Sequence, residues 1–285
     1  MFLIGVLCAI GASVLFNGGV VLQALEARAT SRQKSLRLSL LQVLFRRPLW
    51  VLGLALGLIG VVPQVVALST APFVVVQPLL AVGLLLVLFL GTRLLGEPVR
   101  AAEWAAVAGI LVGVLFVAIG APPHSEAHRG GAVVIAVVAV LSVPALLPLL
   151  RLPVATSPAA VIAACGLGYA ATNVAAKLVG DDVALRHWPN AAAWAAVAVV
   201  DGVAATVTNM SAFQVRPATL VVPVSTSVQT FLPIVFEPLF LRERAPTTVE
   251  GVALVFGLVL CLAGTVQLAR SPAVATFVAA RPTRR

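Results

Sequence analysis

Unbroken apolar stretches of 20 or more residues recur along this chain, and no other feature limits its fold so sharply. A helix rises ~1.5 Å per residue, so such a stretch matches the ~30 Å hydrocarbon core of a bilayer. Inside hydrocarbon the backbone must bond to itself, which leaves only helices and closed barrels. A barrel would show ~10-residue segments of alternating polarity, and none is present here. The sequence therefore predicts an all-α integral membrane protein. Dividing it at charged and Pro/Gly breaks gives about nine spans, near 2–24, 49–69, 72–95, 101–121, 131–150, 157–179, 190–213, 217–241 and 247–268. The first run has no charged start and outlasts the usual secretory signal, so it is read as a span. Charged residues make up only 10% of the 285, too few for the surface of a soluble domain of this length.

Net charge is +9, which taken alone suggests nucleic acid. The bases instead sit in loops and tail between apolar runs, the pattern of cytoplasmic loops facing anionic lipid, so no nucleic-acid partner is expected. With the N-terminus outside, 14 of the 19 bases fall on the inner side, Arg28, Arg46, Arg47, Arg93, Arg100, Arg216 and Arg270 among them. Arg242 and Arg244 run against that bias. The expectation is a bacterial inner-membrane protein with its C-terminus in the cytoplasm. Segment 35–45 is apolar, short and interrupted by Arg37, which suits an amphipathic helix on the inner surface or a degenerate span.

Residues 63–88 align without a gap to 208–233. Pro72-x5-Pro78 falls on Pro217-x5-Pro223 and Gln64 on Asn209, and each copy runs on to an acidic break, Leu95-Gly96-Glu97 or Leu241-Arg242-Glu243. A weaker match places Asn17 on Asn173. This organisation reads as a first repeat of four spans over 1–122, a connector helix at 131–152, a second repeat over 157–270 and a basic tail at 271–285. Four spans, a connector and four spans would set the copies in opposite orientations, the inverted repeat on which many alternating-access carriers are built.

On the stretches STAPFVVVQPLLAVGLLLVLFLGTRLLGEP and RPATLVVPVSTSVQTFLPIVFEPLFLRER the chain resembles the drug/metabolite transporter superfamily, with its EamA-type repeats. The resemblance extends over nearly the whole length. The nine-span layout and the opening IGVLCAIGASVLFNGGVVLQ look most like the NIPA-type branch, which is associated with magnesium transport. That branch places a glutamate shortly after a glycine in the second span, where this chain reads Gly60-Val61-Val62-Pro63-Gln64. Magnesium requires hard oxygen ligands and dehydrates reluctantly, so the missing acid weakens the magnesium reading.

Polar groups inside the apolar runs are the candidate site. Asp201 lies near mid-depth of the seventh run, either as a coupling carboxylate or as an acid satisfied between helices. Lys177 and Glu237 lie at similar depth near the outer ends of their spans and could form a gate, although snorkelling explains Lys177 equally well. Asn17, Gln64, Gln77, Asn173, Asn209, Ser225, Thr226 and Gln229 could line a substrate pocket or bond between helices. Glu97 and Glu243 each precede a new helix and read as caps. Gly53-x3-Gly57 and Gly109-x3-Gly113 would permit close helix contact within the monomer.

The histidines His124, His128 and His187 fall in outer loops. Cys8, Cys165 and Cys261 read as packing residues, and no metal site or cofactor is expected. No HExxH, P-loop or nucleophile elbow occurs, so an enzyme is not expected. These readings favour a secondary carrier for a small organic solute, with Asp201 coupling movement to protons. A lipid or lipid-linked sugar flippase, a divalent-cation transporter and a non-transporting assembly protein stand as alternatives. Membrane lipids are the remaining expected partners, and the sequence leaves the oligomeric state open.

Overall fold

A computed structural model of the chain describes residues 2–31, 33, 35–70, 76, 79–97, 99–120, 132–150, 157–240 and 247–270. The side chains of a number of helical residues, Lys177 and all of 233–240 with Glu237 among them, lie outside that description. Every regular element among the described residues is helical: α1 (Phe2–Ala29), α2 (Leu38–Leu44), α3 (Pro48–Thr70), α4 (Gly83–Leu94), α5 (Ala101–Gly120), α6 (Ala132–Leu146) with a 3-10 turn at Leu147–Leu150, α7 (Pro158–Ala184), α8 (Trp188–Val215), α9 (Ala218–Phe240) and α10 (Thr248–Ala269). By length and hydropathy six of these suit a membrane crossing, or up to seven if the bent pair of α2 and the first part of α3 is counted as one span. Their outer faces carry exposed apolar side chains such as Leu58, Val199, Val249 and Leu262, surface that hydrocarbon tolerates and water does not.

Close approach explains which helices pair. Gly19 of α1 lies against Gly53 of α3 with no room for a side chain on either. A Cβ on Gly257 of α10 would lie 2.6 Å from the Gly113 carbonyl oxygen of α5, and one on Gly264 would lie 2.6 Å from that of Ala106. The x3 spacings read from the sequence are therefore only half used. Gly53 and Gly113 make close contacts, whereas Gly57 and Gly109 have nothing within 4 Å. The working spacing is seven residues, Gly113 to Gly120 and Gly257 to Gly264, which returns to the same face of a straight helix after two turns. α7 packs on α8, α6 and α9, while α1 packs on α3, α4 and α8.

Segment 35–45 forms the single short helix α2, bent 97° from α3. Leu40 and Leu44 are fully buried, whereas Leu38 and Phe45 are exposed, so the helix lies across one end of the bundle rather than spanning it. The Trp50 indole N–H donates to the Met210 sulfur at 3.2 Å and meets Phe45 edge-on at 4.8 Å, which fixes the bend between α2 and α3. The same end gathers Arg28, Arg93, Arg216 and Arg270, each in the last turn or at the C-cap of its helix. We refer to it as the basic end.

Candidate functional site

α8 is 28 residues long, and Asp201 falls at its midpoint, farthest from either end. A carboxylate at such a depth costs about 2.5–3.5 kcal/mol on insertion scales, so it needs partners. Asp201 is 1% exposed. The Ser142 hydroxyl of α6 donates to its Oδ2 at 2.7 Å, and Oδ1 has no hydrogen-bond partner among the described residues. Small residues make this seam possible. A Cβ on Gly168 of α7 would meet Ala205 of α8 at 2.9 Å and Ala145 of α6 at 3.5 Å. Asp201 and Ser142 stand about one turn along from those contacts on α8 and α6.

Toward the basic end, further polar groups continue from this seam. The Asn209 amide donates to the Tyr169 hydroxyl at 3.4 Å, and Thr206, whose own hydroxyl donates to the Gly202 carbonyl at 2.7 Å, lies beside it. About one turn further along α7, the buried Cys165 thiol lies beside the Ser225 hydroxyl of α9, which donates to its own Val221 carbonyl at 2.7 Å. Cys165, Tyr169 and Thr172 follow the i, i+4, i+7 spacing of one helix face, a stripe the sequence reading passed over because it weighed only amides, acids and the serine–threonine run of α9. Tyr169 is the only tyrosine in the chain, and that rarity inside an apolar run was the available signal.

The other expected site residues divide. Asn17 is half-buried, donates to its own Ser13 carbonyl at 2.9 Å and packs against Gly83 of α4, while the Ser13 hydroxyl donates to the Leu80 carbonyl at 2.7 Å. Gln64, Thr226 and Gln229 are half-buried, and Ser225 is buried. Asn173 is exposed, one position off the inward stripe of α7, so the structure does not bring it into the cluster. Gln77, His124, His128 and Glu243 lie outside the described residues, as do the side chains of the gate pair Lys177 and Glu237. His187 stands 3.5 Å from Asp182 at the end opposite the basic one. Among the described residues no three His, Cys, Asp or Glu side chains gather as a metal would require.

Glu97 departs most from expectation. It was read as a cap for the helix that follows it, and the structure makes it the cap of a helix far away in the chain. Gly96 adopts a left-handed φ of 63° after α4, as at many helix C-termini, and the turn sends the Glu97 carboxylate inward. Its Oε1 accepts from the Ala218 N–H at 2.7 Å and its Oε2 from the Thr219 N–H at 2.8 Å, the two leading amides of α9. Arg28 of α1 forms a salt bridge to the same carboxylate and donates through Nε to the Phe213 carbonyl of α8 at 3.3 Å. Helix following Glu97, α5, is capped instead by Glu103, which accepts from the Arg100 N–H at 2.7 Å.

A shallow apolar depression of about 550 Å³ runs along α10, lined by Thr248, Gly251, Val252, Val255, Phe256 and Val259. All six residues belong to one outward helix face, so this is lipid-facing surface and not part of the polar seam.

A stretch of 145 residues is 32% identical to an uncharacterized protein of Corynebacterium glutamicum, covering 49% of this chain and 50% of that protein. The matched region thus spans about half the length of the relative. No protein-family model matches the chain, and no solved structure matches it.

Proposed function

We propose that the protein is a secondary carrier of a small organic solute, working by alternating access across the bacterial inner membrane, with nine spans and its basic end in the cytoplasm. The carrying observation is Asp201. It is a carboxylate buried at mid-membrane depth, with one oxygen bonded to Ser142 and the other without a described partner, at the head of a line of polar groups between α6, α7, α8 and α9. Such an acid can bind and release a proton in step with a conformational change. A purely structural acid would be expected to have both oxygens satisfied.

An internal repeat supports the same reading. α1 packs on α3 and α4, and their sequence mates repeat the pattern, α7 packing on α8 and α9. In the alignment that pairs Gln64 with Asn209, Leu80 falls on Ser225 and Gly60 on Ala205. The contacts Ser13–Leu80 and Phe16–Gly60 then correspond to Cys165–Ser225 and Gly168–Ala205 under one common shift of the first helix. That shift sets Asn17 on Tyr169, one turn from the Asn17–Asn173 match read from sequence. Two copies with equivalent contacts can exchange conformations, as alternating access requires.

The test is Asp201→Asn, which keeps the side-chain shape and cannot titrate. In vesicles loaded to present a pH gradient, the variant should fold normally and lose gradient-driven accumulation of whichever solute the parent protein takes up. Unchanged accumulation with an unchanged pH profile would remove Asp201 from coupling and leave it a structural residue.

A further inference from the structure

We propose that Glu97, together with Arg28 and the N-terminus of α9, is the lock that closes the basic end of the solute path, and that the path behind it runs first past Cys165 and Ser225. This rests on the carrier reading for its purpose, although the lock itself can be detected without any substrate. Four segments converge on one ion pair whose carboxylate side chain is fully buried: the end of α1 through Arg28, the turn after α4 through Glu97, the end of α8 through the Phe213 carbonyl that accepts from Arg28, and the start of α9 through Ala218 and Thr219. Two of these segments belong to the first half of the chain and two to the second, so the contact ties the halves together at this end.

The chemistry suits something that opens and closes rather than a permanent weld. An ionised carboxylate is favoured at a helix N-terminus, where two unpaired amides and the helix dipole await it. All of those groups are equally content in water, so exposing the set to solvent in an open state leaves no charge stranded in hydrocarbon. Neighbouring groups shape the fit. A Cβ on Gly91 of α4 would meet Thr219 at 2.5 Å and Glu97 Oε2 at 3.2 Å, so α4 can lie this close to the lock only without a side chain there. Gln214 donates to the Thr30 carbonyl at 3.2 Å and Ser211 accepts from the Leu36 N–H at 2.9 Å, fastening the segment after α1 over the end of α8.

What lies behind the lock is polar. Ser225 follows Ala218 by seven residues along α9, ~10 Å deeper, and lies beside the Cys165 thiol. Tyr169, Thr206 and Asn209 follow, and the seam with Asp201 and Ser142 lies beyond them. Cys165 is fully buried in this closed arrangement.

That cysteine makes the experiment direct. In full-length protein carrying Cys8→Ser, trimethylammonium-ethyl methanethiosulfonate, which does not cross membranes, is added to inside-out vesicles that expose the basic end. Labelling of Cys165 and Cys261 is followed separately by mass spectrometry of peptides. Cys261 is equally buried but sits between α10 and α5, where it donates to the Ile110 carbonyl, away from the proposed path, so it reports general loosening. Glu97→Gln should raise the Cys165 rate about tenfold or more and leave Cys261 protected. An unchanged Cys165 rate overturns the lock. If both cysteines become reactive, Arg28→Gln decides, because it removes the ion pair and the Arg28–Phe213 contact and leaves the Glu97 cap on α9 in place. Selective labelling of Cys165 in Arg28→Gln then supports the lock, and any other pattern shows a structural cap only. The labelling needs neither substrate nor a pH gradient, so a failed transport assay and a failed lock are separate results.

Discussion

At the scale of single residues, the protein places charge where the bilayer penalises it and compensates each instance differently. Glu97 is compensated fully, by two backbone amides and a guanidinium. Removing one member of a buried ion pair typically costs about 3–5 kcal/mol, so Arg28 and Glu97 belong to the stability of the closed arrangement as well as to its opening. Asp201 is compensated by Ser142 alone among the described residues. Ser142→Ala is therefore expected to lower stability in detergent by about 1–3 kcal/mol, the cost of leaving a buried acceptor without its partner. A thermal-unfolding change near zero would mean that water replaces the serine and that the seam is already wet.

At the scale of elements, small residues decide which helices touch. α5 and α10 approach so closely at Gly113, Gly120, Gly257 and Gly264 that a methyl group there would press on the opposing backbone. Gly257→Ala should destabilise by about 1–3 kcal/mol, the usual cost of overpacking. Gly57→Ala and Gly109→Ala meet open space and should be neutral or stabilising by up to about 1 kcal/mol through helix propensity. Melting the three variants side by side checks this, and equal losses at all three positions would mean that the α5–α10 seam is not the tight one. Capping belongs to this scale as well. Thr247 and Glu250 close a local capping box on α10, legible as T-x-x-E in the sequence, whereas the cap of α9 is delivered from a segment more than a hundred residues away.

At the scale of the whole molecule, the helix ends sort onto two sides. The C-terminal ends of α1, α4, α8 and α10 meet the N-terminal ends of α3, α5 and α9, as the contacts Arg47–Glu26, Gln267–Ala102 and Glu97–Ala218 show. With the basic end in the cytoplasm, Gln33→Cys should label only from inside and His187→Cys only from outside, both positions being exposed. Labelling of both from one side would break the alternation of spans, and reversed labelling would invert the orientation. Asp182, at the end opposite the basic one, is nearly fully buried and would be a poor reporter.

The sequence by itself determined the class of the protein, the sites of its long helices, the mid-depth acid Asp201 and the similarity of residues 63–88 to 208–233. These follow from properties carried within one segment: apolar length, a charge inside it or a shared proline spacing. Only the tertiary structure decided which helix faces meet, that Asn173 points away, that Tyr169 points in, and that Glu97 serves α9. The physical reason is common to all four. A helix presents a similar face every 3.6 residues, and a run of Ala, Val, Leu and Gly offers nearly the same surface after each turn. Register and partner are then set by where a missing side chain lets two backbones close up and by where a buried charge finds its amides, and neither is a property of one segment alone.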